Sequence, residues 1–532
     1  MTKRFTLILA LTLLVVFFLV GCGAESEDSS VDADPVDETV SEESPESFVI
    51  ARGTDAKTLD CGYAYHEGEI DLMYHLYDGL VKFKNDDSLE IEPALAVDWE
   101  VSDDEKVWTF YLREGVKFHD GTDFNAEAVE FSFMRILDEE HPYYGLGDQG
   151  LAYMDWLLSS AIKEVRATDE YTVEIELNDV FGPFLMYMGI YSQFIVSPTA
   201  VETHGEDYFQ NPVGTGPFMF DEWKQDEYVQ MSVNQDYWGE IPEINTITWK
   251  VVPDESTRLM ELQSGNVQAI KPISPAQLDT IMSSDNLELF QVAGSNLFYA
   301  TLNHEAEPFD DLKVRRAFMH AIDFDALVDN VYEGLGTRAI NPMPPTLLGF
   351  NHDIEPYEFD PEKAMELLSE AGLPDGFSMD LHVFAESRAY VGRPVDAAEI
   401  FKSYLADVGI DTNVIVNEWG THRDILREHE HQVGFIGWFD VPHPNNFLNL
   451  LVLRAVNNQY ENPELDELSD KALGTNDPAK QEEYYKEMQE IIHRDVVLVP
   501  IAHSDYTAVV VDEVNGFRLD SLGNVLVHDV SY

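Results

Sequence analysis

The stretch VWTFYLREGVKFHDG, residues 107–121, contains two runs of strand-forming residues, and each run ends at a turn. Both runs are rich in β-branched and aromatic residues, whereas Glu114-Gly115 and Asp120-Gly121 are typical turn pairs. Residues 125–133 then place apolar side chains at helical spacing. Strands followed directly by a helix indicate a chain in which sheets and helices share a core.

Strands and helices continue to alternate irregularly, which predicts an α/β or α+β fold with several domains. We expect a strand over residues 246–252 and a helix that Asp254 caps. Further helices are predicted over residues 310–332, 361–371, 397–408 and 478–493, and strands over 496–501 and 506–511. Gly372 and Gly409 follow two of these helices and are expected to end them.

The amino terminus has the pattern of a secretory signal. Lys3 and Arg4 precede an apolar run over residues 5–20, which leads through Gly21 to Cys22. Leu-Val-Gly-Cys resembles a lipobox, so residues 1–21 are predicted to be a lipoprotein signal peptide and Cys22 the lipidated residue. The alternative is an uncleaved membrane helix, because the run is only slightly shorter than the roughly 20 residues that span a bilayer.

The charge of the chain is strongly negative. Residues 22–47 hold many acids and no Lys, Arg or aromatic residue, which predicts a disordered tether. The whole chain has a formal net charge of −68 at pH 7, and such a surface would repel nucleic acid. Adaptation to high salt or alkaline medium explains this acidity, and collection of cations is the alternative interpretation.

The sequence has no recognisable catalytic or metal-binding pattern. It contains no G-x-S-x-G, H-E-x-x-H or phosphate-loop motif. With Cys22 assigned to lipid, Cys61 has no partner for a disulfide or a cysteine-based zinc site. We therefore expect a protein without catalytic residues, bound metal or cofactor.

Five stretches carry a family resemblance. They are PALAVDWE over residues 93–100, FYLREGVKFHDG over 110–121, NPVGTGPF over 211–218, NQDYWG over 234–239 and VRRAFMHAID over 314–323. Their order and spacing resemble the oligopeptide-, dipeptide- and nickel-binding proteins of ABC importers, over essentially all of residues 48–532. The resemblance implies an α/β, two-lobed, three-domain fold of the periplasmic-binding-protein type, with mixed sheets and a ligand cleft between the lobes.

The resemblance also implies domain boundaries. They are a lobe 1 core domain of residues 48–78, 213–292 and 511–532, an extra domain of that lobe over 79–212, and a lobe 2 domain over 293–510. The lobes are expected to close over the ligand about strands near residues 291–296 and 506–511.

The carboxy-terminal half is most similar to the dipeptide-binding members. By this resemblance Arg388 would bind the carboxylate of a dipeptide and Asp440 its α-ammonium group. Taken alone, Arg388 equally suits a surface salt bridge and Asp440 a turn. The loop before Asp440 is one residue shorter than in typical dipeptide binders, and His443 stands where an acid is common. A shifted Asp440 would suit a longer peptide or another amine.

Four further residues are expected to touch the ligand by resemblance. Trp438 and Phe439 would form an apolar wall, and Tyr65 and His66 would lie in a loop that pairs with the peptide backbone. The implied partners are a short peptide and the permease subunits of an ABC importer. The implied state is a monomer, lipid-anchored on the outer face of the cytoplasmic membrane.

Other functions remain open from the sequence. The same fold could carry a longer oligopeptide, or a nickel chelate held by His443 or His66. A surface sensor would share the pocket. A secreted peptidase is disfavoured because the chain offers no evident nucleophile-base pair or metal set.

Overall fold

The computed structural model describes residues 47–84, 89–146, 152–439, 441–453 and 457–532. The predicted signal peptide, nearly all of the predicted tether with Cys22, and Asp440 lie outside these residues. The strands are β1 Ser47–Arg52, β2 Val81–Phe83, β3 Ile91–Pro93, β4 Ala96–Val101, β5 Val107–Leu112, β6 Ile162–Asp169, β7 Thr172–Leu177, β8 Phe218–Lys224, β9 Tyr228–Val233, β10 Thr246–Val251, β11 Ala269–Lys271, β12 Leu287–Ala293, β13 Asn296–Leu302, β14 Gly336–Arg338, β15 Phe377–Phe384, β16 Ile410–Asn417, β17 Val433–Phe439, β18 Leu498–Val511, β19 Arg518–Leu519 and β20 Val525–Leu526.

The α-helices lie between these strands. They are α1 Glu67–Leu76, α2 Ala126–Leu137, α3 Tyr153–Leu158, α4 Phe184–Tyr187, α5 Pro198–His204, α6 Glu255–Gln263, α7 Leu278–Met282, α8 Leu312–Ala321, α9 Phe324–Tyr332, α10 Pro361–Glu370, α11 Pro394–Asp407, α12 Trp419–Arg427, α13 Pro463–Leu473 and α14 Pro478–Asp495. Within the described ranges, none of them combines the length and apolar character that a membrane crossing needs.

A large mixed sheet organises the described part of the chain. Its strand order is β16-β15-β17-β13-β18-β11-β1-β10-β9-β8, and β12 and β14 also pair with β18. Residues 498–502 of β18 pair with β13, whereas residues 505–511 pair with β12. We call β8–β12 with β1 the first half-sheet and β13 with β15–β17 the second half-sheet. β18 belongs to both, so the two lobes share a continuous strand.

The second half-sheet is covered on both faces. All seven residues of β13 are buried. Leu297 and Tyr299 face a cluster that includes side chains of α13 and α14, while Phe298 and Ala300 face a cluster that includes α8 and α11. A strand buried on both faces needs apolar residues at nearly every position, which explains the unbroken run NLFYATL.

A smaller antiparallel sheet, β4-β5-β7-β6, packs on α2. Buried and partly buried residues alternate along β5 and β7, as expected when one face of a sheet is covered. The Asn125 side chain accepts a hydrogen bond from the Ala128 N–H at the start of α2. This confirms the predicted strand at residues 107–112 and the helix after it.

Most of the predicted helices are confirmed. Asp254 caps α6 and Asp360 caps α10, each through a side-chain bond to a backbone N–H of the first turn. Gly372 and Gly409 follow α10 and α11 with φ of 85° and 86°, in the left-handed region that glycine enters without strain.

Three predicted elements are wrong in detail. Residues 116–121 form a turn with a single bridge between Lys117 and Asp123, because buried Val116 and Phe118 fill the core rather than extend a sheet. The predicted helix over 310–332 is two helices, α8 and α9, since Asp323 caps a new one. The two predicted strands at 496–511 are one strand, β18.

Candidate functional site

A cavity of about 460 Å³ lies between the two half-sheets. Residues 271–276 and 504–507 line it from the first half-sheet and the shared strand. Residues 331–333, 335, 387–389, 392 and 393 line it from the second lobe. Phe439, at the end of β17, also lines it. The wall is mostly apolar, but Lys271, Arg388, Arg393, Asp71, Glu255, Glu333 and Asp505 bring charges to it. Such a mixture suits a ligand that is both ionic and organic.

Arg388 reaches the cavity from the loop after β15. Its guanidinium carbon lies 3.8 Å from the centre of the Trp419 ring, so the planar group is stacked against an aromatic face. Its Nε is buried without a hydrogen-bond partner, and the structure shows no ion pair for this arginine among the described residues. Glu418 influences it only through the electrostatic field. Arg388 therefore presents to the cavity a cation that has no ion-pair partner among the described residues.

A tight turn sets the position of this arginine. The backbone N–H groups of Arg388 and Val391 each donate to the other residue's carbonyl oxygen. Tyr390, between them, is buried and its carbonyl accepts the Tyr332 hydroxyl at 2.6 Å. Its ring lies over Gly437 of β17, where an added Cβ would be 2.1 Å from a ring carbon. Only glycine fits there, so the β17 sequence helps to hold the arginine loop.

Tyr65 and His66 lie in the loop before α1, outside the residues that line the cavity. The buried carboxylate of Glu69 fixes this loop, because it accepts the backbone N–H groups of Lys57, Tyr65 and His66 at 2.8–3.0 Å. Burial, together with the positive charges of Lys57 and Arg388, lowers the pKa of His66 to about 4. The charge of Arg388 therefore acts on His66 in this loop, and the lowered pKa keeps the His66 imidazole neutral at pH 7.

Trp438 and Phe439 end β17 side by side, yet they point to different surroundings. Phe439 lines the cavity, whereas Trp438 packs against Trp156 with ring centres 6.1 Å apart. The Trp438 Nε1 is buried without a hydrogen-bond partner. Asp440 follows directly but lies outside the described residues, so its predicted role stays a prediction.

Sequence reasoning missed the other ionic groups of the cavity. Lys271 donates to both Asp71 oxygens at 2.9 and 2.8 Å, and Arg393 pairs with Glu333 at 2.7 Å. Asp505 accepts a hydrogen bond from Gln291 at 2.6 Å. These residues are far apart in sequence and show no local motif. The contact of Trp419 with Arg388 likewise joins residues that are distant in sequence.

Two lobes that share a strand and enclose a charged cavity define the class of two-lobed binding proteins. The family profile described as "Bacterial extracellular solute-binding proteins, family 5 Middle" matches residues 90–459. The chain therefore belongs to the family 5 solute-binding proteins, the substrate-binding components of ABC importers.

Known relatives cover most of the chain. Heme-binding protein A of Haemophilus influenzae is 36% identical over 474 residues, which are 86% of both chains. The dipeptide-binding protein of Escherichia coli is 34% identical over 510 residues, covering 92% of this chain and 93% of that one. The dipeptide-binding protein of Pseudoalteromonas sp. SM9913 in complex with Met-Leu has a TM-score of 0.79 and 30% identity, covering 91% of this chain and 99% of that one. These matches agree with the two-lobed fold.

Proposed function

We propose that this chain captures short peptides, with dipeptides as the preferred cargo, and delivers them to the permease of an ABC importer. The observation that carries this proposal is Arg388, a stacked guanidinium that faces the cavity without an ionic partner among the described residues. A free peptide carboxylate offers the two coplanar oxygens that the guanidinium fork binds. The names of the E. coli and Pseudoalteromonas relatives support a dipeptide cargo.

The other end of the peptide is assigned to Asp440, which would accept from the α-ammonium group. Phe439 and Trp438 would supply apolar contacts, and Tyr65 and His66 would contact the peptide backbone. Each charge-assisted hydrogen bond contributes about 1.5–3 kcal/mol. Two such contacts account for much of the roughly 8 kcal/mol that a micromolar affinity requires.

The placement of two histidines favours a peptide over a nickel chelate. His443 is 4% exposed, and its Nδ1 accepts the Asn445 N–H at 3.1 Å. The Nε2 of His66 lies 2.9 Å from the Lys57 ammonium. Neither histidine is among the described residues that line the cavity. A longer oligopeptide keeps the carboxylate contact and differs only in where its amino terminus reaches.

The cellular setting follows from the amino-terminal pattern. Cys22 would carry the lipid, and residues 23–47 would hold a monomeric body at the outer face of the cytoplasmic membrane. The domain boundaries stated above belong to this proposal as well.

The test compares free and amidated peptides by isothermal titration calorimetry. The purified protein is expected to bind Ala-Leu at least tenfold more tightly than Ala-Leu-amide, because the amide removes the charge that Arg388 binds. Arg388→Met should reduce this ratio to about one, while Arg388→Lys should retain part of it, since lysine keeps the charge but not the fork. Nickel-histidine and hemin serve as competing ligands.

Arg393→Met is the matched control. Arg393 lines the same cavity, but Glu333 and the carbonyls of Asn330 and Val331 already occupy its guanidinium. This variant should keep the preference for the free acid. The assignment fails if Arg388→Met leaves the acid-to-amide ratio unchanged, and the peptide cargo fails if only nickel-histidine or hemin binds.

A further inference from the structure

Most of the ionic groups that line the cavity already neutralise one another. Lys271 is clamped by Asp71 and also donates to the Gly523 carbonyl at 2.6 Å. Arg393 is paired with Glu333. Among the described lining residues, these two pairs leave Arg388, Glu255 and Asp505 without an ionic partner of their own. Glu255 is exposed, so water can solvate its charge. Asp505 is therefore the lining carboxylate that would pair with a positive charge of the ligand.

Asp505 lies in the middle of β18, at the first residue of the part that pairs with β12, whereas the pairing with β13 ends at Ala502. Its backbone N–H donates to the Leu335 carbonyl at 3.0 Å. The Gln291 amide donates to one carboxylate oxygen at 2.6 Å and to the Gly334 carbonyl at 2.8 Å. The carboxylate is therefore held in position by one neutral donor, the Gln291 amide of β12, and no described cation contacts it.

Because Asp505 is half-buried, its ionised carboxylate would be stabilised by a cation that a ligand brings. Burial raises the pKa of its carboxyl group, and the Gln291 hydrogen bond opposes that shift only in part. A positive charge brought by a ligand would stabilise the ionised form. The formal net charge of −68 acts in the same direction, because it raises the concentration of cationic solutes near the protein.

The surroundings of Asp505 suit a long aliphatic stem that ends in a cation. Val331, Leu335, Tyr506 and Leu522 line the same cavity. Lysine and arginine side chains commonly lay their methylene groups along apolar surface while the charged end finds a polar partner. An α-ammonium group, which is attached directly to the peptide backbone, would not use this apolar wall.

We propose that Asp505 forms a cation-binding subsite, and that the preferred cargo is a short peptide with a basic side chain. This inference rests on the proposed function, in which Arg388 and Asp440 take the peptide termini. Asp505 then acts as a specificity-determining residue. Gln291 is its positioning residue.

The test uses the purified full-length chain and peptides that differ only in one charge. Ala-Lys is compared with Ala-norleucine, whose side chain has the same carbon stem without the ammonium group. The wild type is expected to bind Ala-Lys about 10-fold or more tightly than Ala-norleucine. Asp505→Asn keeps an oxygen for Gln291 and should abolish this preference, with Ala-norleucine affinity unchanged within about twofold. Asp512→Asn, at an exposed position outside the cavity lining, removes one negative charge in the same way and should leave the preference intact.

The outcomes separate this inference from the proposed function. Equal loss of both peptides in Asp505→Asn would assign Asp505 to the α-ammonium or to the hinge and would overturn the side-chain subsite. Unchanged binding of both peptides would also overturn it. Failure of the wild type to bind any free peptide would overturn the proposed function itself. Thermal unfolding of each variant in the absence of ligand shows whether Asp505→Asn remains folded.

Discussion

His443 shows how burial governs single residues in this chain. Its ring lies between those of Tyr187 and Tyr485, with ring centres 6.3 and 5.8 Å away. Burial lowers its pKa to about 3, from an ordinary value of about 6.5. The folded protein therefore keeps this imidazole neutral over a pH range in which the unfolded chain would protonate it.

This difference predicts acid sensitivity with a definite sign. The unfolded chain binds the additional proton below about pH 6.5, so stability contributed by neutral His443 is complete above that pH and is lost as the pH falls toward 3. Between pH 7 and pH 5, the unfolding free energy of the wild type should fall by up to about 2 kcal/mol more than that of the His443→Asn variant. Urea denaturation at the two pH values measures this.

The variant keeps an oxygen that can accept the Asn445 N–H, so the fold should persist. The variant should remain partly acid-sensitive. Most of this sensitivity is expected from His75, His119 and His503, because burial lowers the pKa of each to about 4. An equal loss in wild type and variant would show that His443 does not carry this proton linkage.

Individual site residues differ in how far the sequence predicts them. The family resemblance placed Arg388 and Phe439 at the ligand site, and both line the cavity. Asp505 has no such context. Its importance arises only when β12 brings Gln291 beside it, and that pairing joins residues 214 positions apart. Long-range strand pairing of this kind has no local signature.

At the scale of elements, local signals explain which predictions succeed. Asp254 and Asp360 cap helices through bonds within one turn, so a short stretch of sequence suffices to predict them. β18 was predicted as two strands because its middle, His503-Ser504-Asp505, is polar. The structure gives the reason, since Ser504 and Asp505 line the cavity and need not be apolar.

The connection between β12 and β13 yields a second prediction. A Cβ at Gly294 would lie 2.2 Å from both the Ser504 carbonyl oxygen and the Asn296 amide nitrogen. The Asn296 side chain both donates to and accepts from the Ser504 backbone, at 2.7 and 2.8 Å. Gly294→Ala should therefore destabilise the protein by about 1–3 kcal/mol, measured as a lower urea midpoint.

Ser295→Ala is the control for this hinge position. The Ser295 hydroxyl is buried without a hydrogen-bond partner, so its removal breaks no described bond. Its urea midpoint should stay close to that of the wild type. If Gly294→Ala unfolds at the same urea concentration as Ser295→Ala, the close approach at Gly294 is not a structural requirement.

At the scale of the whole molecule, a set of contacts distant from the shared strand joins the amino-terminal part of the chain to the second lobe. The Asn445 amide donates to the Tyr187 hydroxyl at 2.9 Å, and the Gly182 N–H donates to the Leu473 carbonyl at 2.8 Å. Trp156 and Trp438 meet in the same region. These contacts join residues 156–187 to residues 438–473, so opening of the lobes must break them.

Removal of one such contact should therefore speed ligand release. Tyr187→Phe leaves the Asn445 amide without this acceptor and should raise the dissociation rate of a bound peptide about 2- to 12-fold, as expected for one hydrogen bond. Stopped-flow displacement of a fluorescent peptide measures the rate. Tyr485→Phe is the control, because its buried hydroxyl has no hydrogen-bond partner among the described residues. Equal rates in the two variants would exclude Tyr187 as a closing contact.

The position of β18 in the chain also determines when the protein can fold. It lies between β13 and β11 in the large sheet, yet it spans residues 498–511 of a 532-residue chain. Until the ribosome has made those residues, both half-sheets lack a neighbouring strand and the backbone pairing that it supplies. In chain order β18 follows every other strand of the large sheet, so the complete native sheet forms only after all of those strands have been made.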